Sequence, residues 1–238
     1  MTEHAPIYLL ADSRPLFANE GGISLLNRIK ADINKSTIKA VYVGASNGDE
    51  PDFYGIFTEA MTAAGIYDLR MISAFFEPED KAFFAEADVI LLAGGDVDLG
   101  WKTFQAVGLD DAIRERHQAG ATLIGVSAGA VQLGMRAFKN SLLKNEVINT
   151  LQIVPMCIGA HEETSEWDNL KALISHPKGW PRGLGIPSGG AVICHPDQSF
   201  EAVYQPAHEW VYHEEEQVFK ESLIMSAFVN RYFFDINQ

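Results

Sequence analysis

The amino-acid sequence predicts an α/β protein with a doubly wound, mostly parallel sheet, helices on both faces, and antiparallel strands added at the C-terminal edge. Over the first two thirds of the chain, short apolar runs alternate with amphipathic segments, a pattern typical of parallel strands that helices cover on both sides. After about residue 180, short apolar runs follow one another with turns between them, which indicates antiparallel strands. No linker or internal repeat divides the sequence, so we expect one domain over residues 1–238.

Five strands and four helices are predicted over residues 7–127. Continuous apolar runs predict strands at residues 7–11, 38–46, 66–72, 88–96 and 121–127. Apolar residues at helical spacing predict helices at residues 23–33, 53–65, 77–87 and 98–118. Gly65 ends the second of these helices, and acidic residues occupy the first turn of the third, as the helix dipole favours.

Composition excludes several classes of function. The formal net charge of −14 repels phosphate backbones and anionic lipids, so we expect neither nucleic-acid nor membrane binding. The sequence lacks a signal-peptide pattern and an apolar run long enough to span a bilayer, which predicts a cytoplasmic protein. Cys157 and Cys194 are far apart in sequence without CxxC spacing, and we expect both to be buried free thiols.

The segment LIGVSAGAVQLG at residues 123–134 carries the strongest chemical signal. Gly125, Ser127 and Gly129 form the pattern G-x-S-x-G between a predicted strand and a predicted helix. Such a nucleophile elbow holds a serine hydroxyl out of the sheet on a sharp turn that accepts only small neighbours. The alternative is that small residues here only allow close packing of a helix on a sheet.

An oxyanion hole is predicted beside this serine. The backbone N–H of Ala128, directly after the nucleophile, and the dipole of the helix that follows would stabilise a developing negative charge. Gly95, at the end of the strand in LLAGGD, suits the second donor because a backbone without a side chain can approach a substrate closely. Gly94 is the alternative for that donor.

A serine nucleophile needs a base, and histidine is the usual one. Of the seven histidines, His161 follows the apolar run VPMCIGA, which places it at a strand end on the side expected for the site. His161 is therefore the best candidate for the base. A surface loop histidine is the alternative interpretation.

The motifs LLAGGDVDLGWKTF, GVSAGA, LQIVPMCIGAHEE and RGLGIPSGGAVI occur in an order that resembles the peptidase E and cyanophycinase family of serine peptidases. That family has a glutamine-amidotransferase-like fold with serine in place of the amidotransferase cysteine. The resemblance implies Ser127 as nucleophile, His161 as base, Gly95 and Ala128 as oxyanion hole, and no cofactor or metal. The implied substrates are short peptides or isopeptide-like amides.

The sequence departs from the family pattern at the third catalytic position. Members of the family place a glutamate after the Gly-Ile motif to orient the histidine, but here Gly185-Ile186-Pro187 is followed by Ser188. Ser188 could accept the imidazole N–H without offsetting the imidazolium charge. The segment MRAFKNSLLKN after the elbow offers no carboxylate before Glu146. Ser188 therefore stands as the candidate for the third position.

Two carboxylates beside these motifs are candidate substrate-binding residues. Asp96 follows the glycine pair, and Glu162 follows His161 in a segment that contains no arginine. Carboxylates near the site would favour a basic substrate or a free amino group. A solvated, acidic start of a helix is the alternative.

A second class of function stays open. The chain could be a catalytically weakened family member that binds or senses a small molecule or peptide, because the family's acid is missing. No HExxH pattern or zinc-type cluster occurs, so metal catalysis is disfavoured.

Aromatic residues near the C-terminus, including Trp210, Tyr212, Phe219, Tyr232 and Phe233, are typical of core or edge packing. A homodimer contact is the alternative role for them.

Overall fold

The computed structural model describes residues 5–20, 23–140, 142–143 and 146–226. The strands are β1 (Ile7–Leu10), β2 (Asn19–Glu20), β3 (Ile23–Ser24), β4 (Lys39–Val43), β5 (Asp68–Ile72), β6 (Val89–Leu92), β7 (Thr122–Val126), β8 (Arg136–Phe138), β9 (Val147–Asn149), β10 (Cys157–Ala160), β11 (Arg182–Ile186), β12 (Ala191–Cys194), β13 (Phe200–Val203), β14 (Ala207–His213) and β15 (Val218–Ile224). The α-helices are α1 (Leu25–Ile33), α2 (Pro51–Ala63), α3 (Pro78–Phe84), α4 (Val97–Val107), α5 (Leu109–Gln118), α6 (Ala128–Leu133) and α7 (Asp168–Ile174).

The larger sheet has seven strands in the order β13-β12-β1-β7-β6-β4-β5. The five strands from β1 to β5 in this order pair in parallel, while β12 joins β1 and β13 joins β12 antiparallel at one edge. This arrangement confirms the predicted α/β fold class. The carboxyl ends of β6 and β7 lie side by side, which brings their two loops together at one end of the sheet.

Helices cover both faces of this sheet, as the apolar strands predict. On one face, side chains such as Tyr8 and Leu10 form a core with Leu26 of α1 and Phe57 of α2. On the other face, alternate strand residues such as Leu9 pack with the helices α3 to α6. Because successive side chains of a strand point to opposite faces, strands buried on both sides have the continuous apolar sequences observed here.

The late strands differ from the expectation in one respect. Only β12 and β13 extend the large sheet, whereas β10, β11, β14 and β15 form a second sheet in that order. Strands β10 and β11 pair in parallel, and α7 connects them. Apolar side chains of these two strands, including Ile158 and Leu184, pack into the same core as β1 and β6 of the large sheet. The second sheet therefore packs its inner face against the large sheet instead of extending the edge of the large sheet.

The predicted long helix at residues 98–118 is wrong, because two helices occupy this segment. Gly108 has φ 73°, so it ends α4 in a left-handed conformation and α5 begins at the next residue. Glycine adopts this conformation without steric cost. The periodic apolar pattern continues through the break, which is why spacing alone did not reveal it.

Both cysteines lie in the interior, as the sequence predicts, and the described C-terminal aromatic residues pack within the chain. Cys157 and Cys194 are free and buried. Trp210 is buried, and Tyr212 contacts Phe219 with ring centroids 5.1 Å apart, whereas Tyr232 and Phe233 lie outside the described residues. A homodimer contact stays a prediction. Within the described ranges, no helix is long and apolar enough to cross a membrane.

Candidate active site

Ser127 lies on a sharp turn between β7 and α6, as the elbow pattern predicts. Its backbone has φ 50° and ψ −110°, a sparsely populated conformation for a residue with a side chain. Two hydrogen bonds hold this conformation: the Ser127 N–H donates to the carbonyl of Leu10 at 2.9 Å, and its carbonyl accepts from the Val131 N–H at 3.1 Å. Strain of this kind persists only where the surroundings fix it, and it concentrates at functional sites.

The two flanking glycines are required by close backbone packing. A Cβ on Gly129 would lie 2.1 Å from the carbonyl oxygen of Leu92 in β6, and a Cβ on Gly125 would lie 2.7 Å from Cα of Ala130. Both distances are too short for any side chain, so α6 approaches the sheet only because these positions are glycine. Close packing and a raised serine are thus two aspects of one turn rather than alternatives.

His161 lies directly after β10, in the second sheet, and reaches the serine of the first. Its Nε2 is 2.8 Å from Oγ of Ser127, a hydrogen-bond distance that suits proton transfer from a nucleophile to a base. The backbone N–H of His161 donates to the carbonyl of Ile186 at 2.9 Å, and its φ is 49°. The structure therefore brings together Ser127 and His161, two residues that the sequence separates by 34 positions.

The loop that follows β6 lies beside the serine. A Cβ on Gly94 would be 3.4 Å from Cβ of Ser127, so Gly94 borders Ser127 directly. Gly95 has φ 141°, and a Cβ on it would lie 2.1 Å from the carbonyl oxygen of Ser46. Only glycine fits this position, because both the backbone conformation and the contact with Ser46 exclude a side chain. Ala128 is buried at the first position of α6.

A buried polar pair behind this loop was missed by the sequence analysis. Gln132 Nε2 lies 3.0 Å from Oγ of Ser46 and donates to the carbonyl of Val97 at 3.1 Å. Gln132 and Ser46 are almost fully buried, with exposed fractions of 0% and 2%. The pair ties α6, which follows the elbow, to the first residue of α4 and to the turn after β4. A glutamine in the otherwise apolar helix segment AGAVQL was the available signal.

Both predicted substrate-binding carboxylates bind backbone N–H groups. Asp96 caps α4, since its Oδ1 accepts from the N–H of Leu99 at 2.8 Å. Glu162 Oε2 accepts from the N–H of Leu170 in the first turn of α7 at 3.1 Å. Carboxylates in these positions stabilise helix starts. Their contact with substrate stays a prediction.

Ser188 does not stand alone at the third catalytic position, because a carboxylate lies against it. The backbone N–H of Ser188 donates to Oε1 of Glu163 at 3.2 Å. Partial burial acts to raise the pKa of Glu163, but hydrogen bonds from the Ser188 hydroxyl and N–H, together with the His161 imidazole, hold that pKa below its usual value. A catalytic role for Ser188 itself stays a prediction.

The described residues contain no group of three or more His, Cys, Asp or Glu side chains arranged to hold a metal ion.

An apolar pocket of about 40 Å³ borders the site at Gly94 and Val126. Its other lining residues include Leu16, Tyr42, Phe53, Phe57 and Ala93. A small apolar group of a bound molecule would fit there.

Comparison with known proteins agrees with the fold. Residues 9–201 match the model of peptidase family S51. A crystal structure of a peptidase from an acI-B1 actinobacterium aligns with a TM-score of 0.66 at 16% identity, covering 94% of this chain and 95% of that one. A putative peptidase E from Listeria monocytogenes EGD-e aligns with a TM-score of 0.62 at 16% identity, covering 84% of this chain and 98% of that one.

At these identities the two structures establish a shared fold. No curated protein matches the chain in sequence. The family match spans β1 to β13, including the elbow, the glycine pair, His161 and Ser188, and it confirms the resemblance seen in the motifs. The chain belongs to peptidase family S51.

Proposed function

We propose that this protein is a serine peptidase that hydrolyses amide bonds of short peptides or isopeptide-like substrates, with Ser127 as nucleophile and His161 as base. The observation that carries the proposal is the 2.8 Å distance between Ser127 Oγ and His161 Nε2, made by a serine in a strained elbow conformation. A serine held only by packing needs neither the strain nor the histidine.

The reaction would proceed in two stages. Ser127 Oγ bonds to the substrate carbonyl carbon while its proton moves to Nε2 of His161, and the N–H groups of Gly95 and Ala128 stabilise the oxyanion. His161 then donates the proton to the leaving amine as the C–N bond breaks. Water, deprotonated by His161, hydrolyses the resulting ester and restores the serine.

A fluorophosphonate probe tests this proposal without knowledge of the substrate. Such a probe bonds covalently to an activated serine and loses fluoride. We expect labelling at Ser127, mapped by mass spectrometry of the peptide that contains it, and loss of labelling in Ser127→Ala. Ser175→Ala is the matched control, because its hydroxyl donates to the carbonyl of Lys171 in α7, away from the elbow.

The outcomes separate the proposal from the binding-protein alternative. Labelling that persists in Ser127→Ala would place the reactive group elsewhere and overturn the proposal. A folded protein that the probe never labels would favour a member of the family that binds peptides or small molecules without hydrolysing them. The same pair of variants, incubated with a mixture of short peptides, should show release of new amino groups only where Ser127 is present.

A further inference from the structure

Glu163 carries a buried oxygen without a hydrogen-bond partner. It begins a short 3₁₀ turn, Glu163–Ser165, two residues after His161. While Oε1 accepts from the N–H of Ser188, Oε2 is buried and has no hydrogen-bond partner among the described residues. An unpaired buried carboxylate oxygen destabilises a fold, so such an atom needs a functional or structural explanation.

The partner of Oε1 is itself held firmly. Residues 187–190 form a turn in which the Gly190 N–H donates to the Pro187 carbonyl at 2.8 Å, with Gly189 at φ 75°. The Gly189 N–H donates to Oδ2 of Asp12 at 2.8 Å, which fixes the turn to the segment after β1. The N–H of Ser188 therefore has a fixed direction, and it fixes the carboxylate of Glu163 in turn.

The electrostatic surroundings keep this carboxylate ionised. Burial alone would raise the pKa of Glu163, but the hydrogen bonds from Ser188 and the nearby imidazole of His161 lower it below its usual value. Arg14 also interacts with the charge of Glu163, and this exposed side chain is paired with Asp12 at 2.5 Å. Glu163 is thus negatively charged throughout the pH range in which an imidazole ordinarily titrates.

His161 and Glu163 are held by the same short segment of the chain, because the His161 N–H donates to the carbonyl of Ile186 and the Ser188 N–H donates to Glu163. The Nε2 of His161 faces Ser127, so Nδ1 is the nitrogen available to an acceptor on the opposite side of the ring. We propose that Glu163 is the positioning residue for His161: it supplies the negative charge that position 188 lacks, and Ser188 holds it in place. The inference rests on the proposed function, in which His161 is the base.

In this arrangement no proton moves to the carboxylate. When Ser127 Oγ bonds to the substrate, its proton moves to Nε2 of His161, and Glu163 stays ionised beside the imidazolium. The negative charge stabilises the protonated ring and favours the orientation in which Nε2 faces the serine. Removing the charge should therefore weaken the hold on that orientation and slow the activation of Ser127.

The test compares Glu163→Gln with Glu166→Gln, which removes the same charge from an exposed side chain three residues away. The ¹⁵N signals of the imidazole show which ring nitrogen carries the proton, and those of His161 are assigned by their loss in His161→Gln. We expect the share of His161 with its proton on Nδ1 to fall in Glu163→Gln and to stay unchanged in Glu166→Gln. Fluorophosphonate labelling of Ser127 should slow about tenfold or more in Glu163→Gln alone.

A share of Nδ1-protonated His161 that is the same in both glutamine variants would overturn the inference, whatever the labelling rate. Absence of labelling in the unmodified protein would instead overturn the proposed function, and the imidazole signals would still decide whether Glu163 acts on His161. If Glu163→Gln does not fold, the reciprocal measurement decides: the carboxyl pKa of Glu163, followed by ¹³C NMR, should rise in His161→Gln. A carboxyl pKa that does not change there would also overturn the inference.

Discussion

Gln132 Nε2 lies 3.0 Å from Oγ of Ser46, and this buried contact joins α6 to the turn after β4, where the Ser46 carbonyl accepts from the N–H of Asp96, the residue after Gly95, at 2.7 Å. The same Nε2 donates to the carbonyl of Val97, at the start of α4. A side-chain amide that touches neither Ser127 nor Gly95 therefore connects the helix after Ser127 to the residues on both sides of the Gly95 loop. A side chain with this role affects stability and reactivity together.

Replacing Gln132 with leucine should reveal both effects. The change leaves Ser46 Oγ and the Val97 carbonyl without this donor in a buried environment, which should lower the free energy of unfolding by about 1–3 kcal/mol. The loop that carries Gly95 should shift, and labelling of Ser127 by the fluorophosphonate probe should slow at least about tenfold. Gln105→Leu, on the exposed side of α4, controls for added apolar surface. Equal labelling rates in the two variants would contradict this role.

Gly95→Ala tests the oxyanion donor. The new Cβ would lie 2.1 Å from the Ser46 carbonyl oxygen at a φ of 141°, so the backbone must move and the N–H with it. Loss of one oxyanion donor lowers turnover on the order of a hundredfold, and we expect a decrease of that size in labelling or peptide hydrolysis. Gly55→Ala is the control, since its Cβ would meet no atom within 4 Å. Full activity in Gly95→Ala would assign the donor to another group.

Ser188→Ala distinguishes a catalytic serine from one that holds a carboxylate. The substitution removes the hydroxyl but keeps the backbone N–H that donates to Glu163. We therefore expect labelling of Ser127 to slow by less than about tenfold, because a hydrogen bond to a charged group contributes only part of the restraint. Ser165→Ala, whose hydroxyl donates to the Glu162 carbonyl on the adjacent turn, serves as control. A loss as large as that of Ser127→Ala would instead assign Ser188 a direct role.

The two cysteines should be inert in the folded protein. Burial raises the pKa of the Cys157 thiol to about 12 and that of Cys194 to about 11, and the thiolate is the reactive form. A disulfide reagent at about pH 8 should modify neither thiol in the native state and both after unfolding in guanidinium. Rapid native-state modification that also abolishes peptide hydrolysis would point to a cysteine nucleophile.

An ion pair between α1 and β13 predicts a pH-dependent change in stability. Arg28 contacts both carboxylate oxygens of Glu201, at 2.7 and 2.8 Å, and His195 lies 3.0 Å from one of them. The hydrogen bond from Arg28, followed by the charges of Arg28 and His195, lowers the pKa of Glu201 below its ordinary 4.5 despite partial burial. The pKa of Glu201 is lower in the folded protein than in the unfolded chain. The ion pair therefore stabilises the fold fully above the unfolded-state pKa, and this stabilisation is lost as the pH falls through the folded-state pKa.

Glu201→Gln should therefore lower Tm by about 2 °C at neutral pH, a small change because both side chains are partly exposed. The difference from the unmodified protein should disappear as the solution is acidified below the folded-state pKa of Glu201. Glu115→Gln, at an exposed position of α5, provides the comparison for loss of one charge. A difference that persists unchanged in acid would show that the effect is not due to ionisation.

Local patterns predicted the parts of the molecule that local physics determines. The parallel strands were evident because burial on both faces makes their sequences continuously apolar, and the elbow was evident because Gly125 and Gly129 must admit backbone atoms of other elements. The break at Gly108 and the second sheet were not evident, because a glycine also occurs inside helices and because the apolar run of β14 does not specify which strand it joins.

The same limit applies to the site. Glu163 is one of several acidic residues after His161 in the sequence, and only the turn at residues 187–190 distinguishes it from its neighbours. The carboxylate that we propose as the positioning residue lies two positions after His161 in the chain rather than after the Gly-Ile motif, so comparison by motif position alone indicated that the acid was missing.

Ser127 follows a strand of the large sheet and His161 follows a strand of the second sheet. This separation has a consequence for the order in which the site is synthesised. A ribosome that has delivered residues through the end of α6 has already made the elbow, but β10 and the β11 strand that aligns His161 are still to be synthesised. Chains that end early, whether by premature termination or by cleavage, carry the serine without its proton acceptor. Under the proposed function, hydrolytic capacity would arise only after β11 has been made, and shorter fragments of the chain would be inactive.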